Sequence, residues 1–240
     1  MEEQYMNYTY RNITISGLPG SGSTTLRTLL REHLKGWKGF SGGEFMRAYA
    51  AEKGLFDAKN NVFHHDATVY GEDFDREVDF GMRNKLKREK HWILESWLSS
   101  FFAQGIPGVL KVLLICSDPA VRIDRIVNRD NISIKEAKQH IQERTKKNLR
   151  KWRRMYADEW KKWVVNTGTV KKDTPVDFWD PALYDIVVDT YSKSREETLN
   201  AVLQALKKTY RFYPLYCENL EHFCFVGHIP RSFSFSRVGR

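Results

Sequence analysis

The sequence predicts an α/β fold of three layers, a mostly parallel sheet with helices on both faces, and three observations carry that expectation. Asn12-Ile13-Thr14-Ile15-Ser16 alternates β-branched residues, runs into the glycine-rich stretch 17–22, and leads to Ser23–His33, where Leu26, Leu29 and Leu30 recur at helical spacing. A similar unit closes the regular part of the chain: Tyr184–Asp189 has a buried-strand pattern, and Ser194–Lys207 reads as a capped helix with Leu199, Val202, Leu203 and Leu206 on one face. Between them lie two more strand patterns, Trp92–Glu95 and Val109–Cys116. Strands separated by helical stretches point to βαβ units.

The remaining elements follow in order. Asp73–Lys90 reads as a helix, and Ser117-Asp118-Pro119 opens another, because proline suits the first helical position. Ile134–Val164 reads as one long amphipathic helix, with Ala137, Ile141, Trp152, Met155 and Trp163 near a 3.6 period and basic residues on the other faces. From Thr209 onward no period is sustained. The expected organisation is a domain over residues 1–208, with a lid within about 122–150, and a tail over 209–240.

The chain has 240 residues, 39 Lys and Arg against 30 Asp and Glu, a net charge of +9, 41% hydrophobic residues and a mean hydropathy of −0.56. That composition excludes a collagen, a coiled coil and bulk disorder. The charge is local: residues 111–172 hold 17 Lys and Arg against 7 Asp and Glu, leaving the rest of the chain near neutral. A basic stretch is either a solvated helix face or a surface for phosphorylated partners. Three cysteines, Cys116, Cys217 and Cys224, and an N-terminus without a signal-like segment argue against a disulfide framework and for a cytoplasmic setting. The longest apolar run, around Val109–Cys116, is too short to span a bilayer, so no membrane is expected.

Gly17-x4-Gly22-Ser23-Thr24 has the spacing of a phosphate-binding loop, in which small residues let backbone N–H groups converge on phosphate oxygens at a helix N-terminus. Gly17, Gly20, Ser21, Gly22, Ser23, Thr24 and Thr25 are the expected ATP-binding residues, with the Thr24 hydroxyl on Mg²⁺. The position normally held by lysine is Ser23, so the point charge that reaches the β and γ phosphates is absent. Either another cation substitutes, with Arg27 or an arginine of the basic segment as candidates, or nucleotide binding and catalysis are weakened.

ITISGLPGSGSTT, FSGGEFMR at Phe40–Arg47, ILES at Ile93–Ser96 and DRIVNR at Asp124–Arg129, in that order, resemble the nucleoside monophosphate kinases, most closely the cytidylate kinase-like branch. The similarity spans about Asn12 to Lys207. It implies a P-loop kinase fold with a five-stranded sheet and a helical lid, and transfer of the γ-phosphoryl of ATP, with Mg²⁺, to a nucleoside monophosphate, CMP or dCMP. The alternative is a non-catalytic nucleotide-binding or RNA-interacting relative on the same fold. The expected partners are small nucleotides rather than nucleic acid, and the expected state is a monomer.

The resemblance also assigns roles. Arg125 and Arg129, one turn apart in DRIVNR, match the arginines that enter the lid, and Arg144, Asn148 and Lys151 at i, i+4, i+7 match a monophosphate-contacting RxxxDxxR with Asn and Lys in place of Asp and the last Arg. Arg125, Arg129 and Arg144 are therefore expected to be catalytic. Ser41 and Arg47 match the family's serine and its monophosphate-binding arginine, a planar fork of donors suited to phosphate. Asp75 and Asp79 occupy a position where the family places an acid near the base, against which stands a local ion pair of Asp79 with Arg83. Glu95 falls at the carboxyl edge of the sheet, where ligands bind in open α/β folds, but Ser96-Trp97 follows where the family has Gly-Arg.

Three other patterns are set aside. His64-His65-Asp66 lacks the i, i+4 geometry of a metal pair, and Cys217, His222, Cys224 and His228 match no common zinc spacing. Trp152, Trp160 and Trp163, interleaved with basic residues, have the spacing of a packed seam rather than of a base-stacking surface.

Overall fold

Five strands, β1 (Asn12–Gly17), β2 (Lys38–Ser41), β3 (Trp92–Glu95), β4 (Val109–Ile115) and β5 (Ile186–Asp189), form one all-parallel sheet in the order β2-β3-β1-β4-β5. The computed structural model describes residues 9–54 and 67–207, which belong to one compact unit. The tail residues Cys217, His222, Cys224 and His228, and His64-His65-Asp66, lie outside the described residues. Among the described residues no helix is long and apolar enough to cross a membrane.

The central strand explains the alternation that predicted it. Ile13 and Ile15 enter the core formed with α1 (Ser23–His33) and α8 (Arg195–Lys207), where Leu26, Leu30, Val112, Leu114, Val188 and Val202 meet. The intervening polar residues are buried on the opposite face and satisfied there, as buried polar groups must be. The Ser100 hydroxyl at α4 (Ser99–Phe102) donates to Thr14 Oγ1 at 3.0 Å, and the Ser100 N–H donates to Ser16 Oγ at 3.1 Å. Asn12 Nδ2 donates to the carbonyls of Leu86 and Glu89 at the end of α3 (Glu72–Arg88), fixing that helix to the amino edge of the sheet.

On that face lies a second, aromatic core of Phe101, Phe102, Trp152, Tyr156, Trp160 and Phe178, with Trp163 half-buried against it. The tryptophans of the basic segment are thus a packed seam. The long expected helix is interrupted: α6 (Ile134–Met155) stops at Tyr156, and α7 (Ala157–Trp160) leads into a π-turn at Lys161–Val165. The break lets Tyr156 and Trp160 both reach the aromatic core. Strand β2 was absent from the strand patterns because, unlike the equally short β3, its Lys-Gly-Phe-Ser holds a single apolar side chain, Phe40; Gly39 lies where a Cβ would strike the Arg31 side chain. Helix α5 (Pro119–Asp130) begins as its sequence predicts, with Asp118 accepting from the N–H groups of Ala120 and Val121.

Candidate active site

Strand β1 ends at Gly17, and the chain must turn back over the carboxyl edge of the sheet. A Cβ on Gly17 would lie 2.4 Å from Ser21 Oγ and 2.8 Å from the Leu114 carbonyl, so only glycine fits. Gly20 (φ +83°) and Gly22 (φ +91°) take the left-handed conformation that closes the loop. Gly22 caps α1 without a side chain, and the first turn of α1 has no acid. Its opening N–H groups are left for an anion.

The loop is braced from behind. Arg125 Nη1 donates to the Gly20 carbonyl (3.2 Å) and to Thr190 Oγ1 (2.8 Å), and its Nη2 donates to the Thr190 carbonyl (2.8 Å). Thr190 Oγ1 in turn donates to the Ser21 carbonyl (3.0 Å). Carbonyls held on that side turn the opposite edge of the loop, with its N–H groups, toward the cavity.

At the position of the missing lysine, Ser23 Oγ donates to Glu95 Oε1 (2.8 Å), and Ser41 Oγ donates to Glu95 Oε2 (2.7 Å). Glu95, 8% exposed at the end of β3, therefore ties the first residue of α1 to the cap of α2 (Gly42–Glu52). Arg27 adds a second tie, its Nη2 lying 2.6 Å from Glu44 Oε1. Spent there, Arg27 does not line the cavity and is no substitute for the lysine.

A cavity of about 1120 Å³ spreads from this loop across Glu95 to the basic segment, with Arg47, Arg125, Arg129, Arg144, Lys193 and Arg195 on its walls. Arg144 is the most perturbed of these. Burial first, then the neighbouring charges of Arg129 and Arg47, push its pKa down to about 10, against the pull of Tyr70 and Asp130. Its guanidinium lies 5.1 Å from the Trp97 ring, the residue that stands where the family has arginine. Cations that depress one another in this way hold a potential that a phosphate relieves.

A smaller cavity of about 100 Å³ opens beside the first and shares Gly43, Arg47, Ser96, Trp97 and Arg144 with it. Its far wall carries Asp75, Asp79, Tyr70 and Asn148. Tyr156 Oη donates to Asp79 Oδ2 at 2.6 Å. Burial pushes the Asp79 carboxyl up to about 7, the Tyr156 hydrogen bond opposing and the Asp75 charge adding to the rise. Burial also raises Asp75, against the pull of Lys151, whose Nζ lies 2.8 Å from Asp75 Oδ2.

Known proteins can be set beside this geometry. A family model described as an AAA domain matches residues 13–147, more than half of the chain. A cytidylate kinase from Methanopyrus kandleri is 32% identical over 201 residues, covering 81% of this chain and 92% of the relative. The chain belongs to the cytidylate kinase-like nucleoside monophosphate kinases. A cytidylate kinase from Methanosarcina acetivorans is 29% identical over 196 residues, covering 81% of this chain and 95% of the relative. Among solved structures, an uncharacterized protein from Eubacterium ventriosum superposes with a TM-score of 0.55 at 14% identity, covering 83% of this chain and 99% of the other. Membership makes the chain a P-loop kinase of the nucleotide class.

Within this kinase frame the sequence-predicted residues separate. Gly17, Gly20, Gly22, Ser23, Thr24, Thr25, Ser41, Glu95, Arg47, Arg125, Arg129 and Arg144 line the large cavity. Ser21 does not: it is buried, its N–H donates to the Leu18 carbonyl at 3.0 Å, and its own carbonyl is taken by Thr190. Asp79 and Asn148 line the small cavity, and Asn148 Oδ1 accepts from the Ala67 N–H at 2.6 Å. The alternative reading of Asp79, a local ion pair with Arg83, does not occur, because Asp79 turns to Tyr156 while Arg83 donates to the carbonyls of Phe102 and Gln104. Lys151 lines neither cavity. It is buried, its Nζ donates to the Ala67 carbonyl (2.7 Å) and the Tyr70 carbonyl (2.8 Å) and pairs with Asp75 Oδ2 at 2.8 Å, so it holds the structure rather than a phosphate. Arg129 lines the cavity while gripping the carboxylate of adjacent Asp130 through Nε (2.8 Å) and Nη2 (2.9 Å).

Sequence reasoning missed Thr190, Lys193 and Arg195, which follow β5 and open α8 on the cavity wall. The signal was present: they follow a strand at the carboxyl edge, where ligands gather in open α/β sheets.

Proposed function

We propose that the chain transfers the γ-phosphoryl group of ATP to CMP or dCMP. The observation that carries this reading is the junction of the two cavities, where Arg47 and Arg144 line both. Cations at that junction stand where a phosphoryl group leaving the loop for an acceptor must pass, and phosphoryl transfer asks for positioning and neutralisation rather than covalent chemistry.

In this reading the open N–H groups at the start of α1 receive the triphosphate. Arg129 and Arg144 face the transferred group, Arg47 holds the acceptor's phosphate, and the segment within about 122–150 acts as the lid. The residues present fit Mg²⁺: the Thr24 hydroxyl and the Glu95 carboxylate line one cavity, and this ion is held by few protein oxygens together with substrate phosphates. When bound, the ion neutralises the phosphate oxygens.

The acceptor's base is inferred from the small cavity. A carboxylate on its wall, Asp79 or Asp75, accepts from an exocyclic amino group, which cytosine has and uracil lacks. About 100 Å³ suits a pyrimidine better than adenine.

A coupled ADP-release assay with ATP, Mg²⁺ and CMP, dCMP, UMP, AMP or shikimate tests the proposal. CMP and dCMP should exceed UMP in kcat/KM by about tenfold or more, the cost of leaving a buried carboxylate without its donor. Arg144→Met should abolish most of the turnover. ATP binding without stimulation by any acceptor would refute the kinase reading and favour a non-catalytic nucleotide-binding protein.

A further inference from the structure

We propose that a third cavity, between the second half of α3, the α4–β4 connection and the π-turn, binds a phosphate-bearing small molecule of nucleotide size. It measures about 440 Å³, within the range of small-molecule sites. Three cations line it, Arg83, Lys87 and Lys162, and no carboxylate does.

Arg83 is the centre of the argument. It is 8% exposed, its Nη1 donates to the carbonyls of Phe102 (2.6 Å) and Gln104 (2.9 Å), and its guanidinium lies 3.9 Å from the Trp163 ring centroid. Among the described residues it forms no ion pair, and neither do Lys87 and Lys162. Burial alone lowers its pKa, with no nearby acid to offset it. A charge taken out of water without a counter-charge is costly, and an anion in this cavity supplies one. Phosphate suits the fork of a guanidinium flanked by two ammonium groups. Phe80 and the edge of Trp163 add an apolar wall for a ring.

The cavity is separate from the site described above. Asn12, first in β1, holds the carbonyls of Leu86 and Glu89, and the Arg11 N–H donates to Gly108. Both ties place the end of α3 and the α4–β4 connection at the amino edge of the sheet, whereas the phosphate loop lies at the carboxyl edge, about 20 Å away along a six-residue strand. The π-turn gives an independent indication. The Asn166 N–H donates to the Lys161 carbonyl (2.8 Å) and the Thr169 N–H to that of Val164 (3.0 Å), a wide turn that is rare and concentrated at functional sites. It sets Lys162 and Trp163 on the cavity wall.

Labelling of the full-length protein with pyridoxal 5′-phosphate tests this. The aldehyde condenses with a lysine Nζ, releasing water, and borohydride reduces the imine to a stable amine that peptide mass mapping locates. Lys87 and Lys162 should label ahead of exposed Lys35, and inorganic pyrophosphate at ten times its dissociation constant should slow their labelling about tenfold. Protection by AMP at lower concentration than pyrophosphate would assign a nucleotide, and equal or better protection by pyrophosphate a bare phosphate group. In Lys162→Glu, pyrophosphate protection of Lys87 should be lost. Labelling of Lys87 and Lys162 at the rate of Lys35 without protection, or protection of Lys87 unchanged in Lys162→Glu, overturns the proposal.

Discussion

Replacing Lys151 by methionine separates a structural lysine from a substrate-binding one. The substitution keeps most of the volume but leaves the Asp75 carboxylate and the carbonyls of Ala67 and Tyr70 without their donor. Removing one partner of a buried ion pair costs about 3–5 kcal/mol. The carboxylate limits its own share by taking up a proton, since neutralising an acid of ordinary pKa near 3.9 at pH 7 costs at most about 4 kcal/mol. A loss of about 3–5 kcal/mol lowers the midpoint of thermal unfolding by roughly 10 °C in a domain of this size.

The sign with pH follows from the same step. An acid whose folded pKa is raised contributes stability that is present at low pH and lost as pH rises through that pKa. Asp75 is already raised by burial, and loss of Lys151 raises it further. The deficit of Lys151→Met against the parent should therefore shrink as pH falls from 7 to 5, by at most about 2.7 kcal/mol at 1.36 kcal/mol per unit, and by less to the extent that Asp75 of the parent takes up a proton over the same range. Urea unfolding at both pH values, with kcat and KM for CMP measured alongside, decides the matter. An unmoved midpoint with a KM raised at least about tenfold would make Lys151 a phosphate contact and refute the reasoning.

Three further outcomes are expected. Arg125→Ala removes the brace behind the phosphate loop, three hydrogen bonds of about 1 kcal/mol each, so the KM for ATP should rise roughly 10- to 100-fold with a smaller fall in kcat; a fall in kcat alone would place Arg125 on the transferred group instead. In Ser23→Lys the new ammonium meets the Glu95 carboxylate that Ser23 now contacts, so calorimetry without Mg²⁺ should find ATP affinity changed by less than about threefold, whereas Ser23→Lys with Glu95→Gln should tighten it under the same conditions; the single variant tightening as much as the double would sink this account of Glu95. Asp79, raised to about 7, contributes stability that disappears as pH climbs from about 4 to about 7, so Asp79→Asn should flatten the unfolding midpoint over that range. Parallel curves for parent and variant would contradict it.

How much could be read beforehand differs by element. The β1 strand, its loop and α1 were legible because their signals are local: alternation, glycines where a Cβ would collide, and a helical period. Strand β2 was not legible, because its Lys-Gly-Phe-Ser carries one apolar side chain and a glycine under Arg31, whereas β3, no longer, is apolar at three of its four positions. The break at Tyr156 escaped because the aromatic spacing continues across it, while the reason for the break, the shared aromatic core, lies in Phe101, Phe102 and Phe178 far along the chain.

By itself the sequence determined the layer order, the phosphate loop, the absence of its lysine and the concentration of positive charge in one segment. Only the tertiary structure decided where that charge goes. Arg144 and Lys151 share a helical face, yet seven residues of rise separate them by roughly 10 Å, enough to carry one into the cavities and the other into a buried pair with Asp75. Arg125 and Arg129 likewise both line the cavity, but one guanidinium is held by Gly20 and Thr190 from distant segments. Periodicity specifies the face on which a side chain stands; the partner that claims its charge is brought there by the rest of the fold.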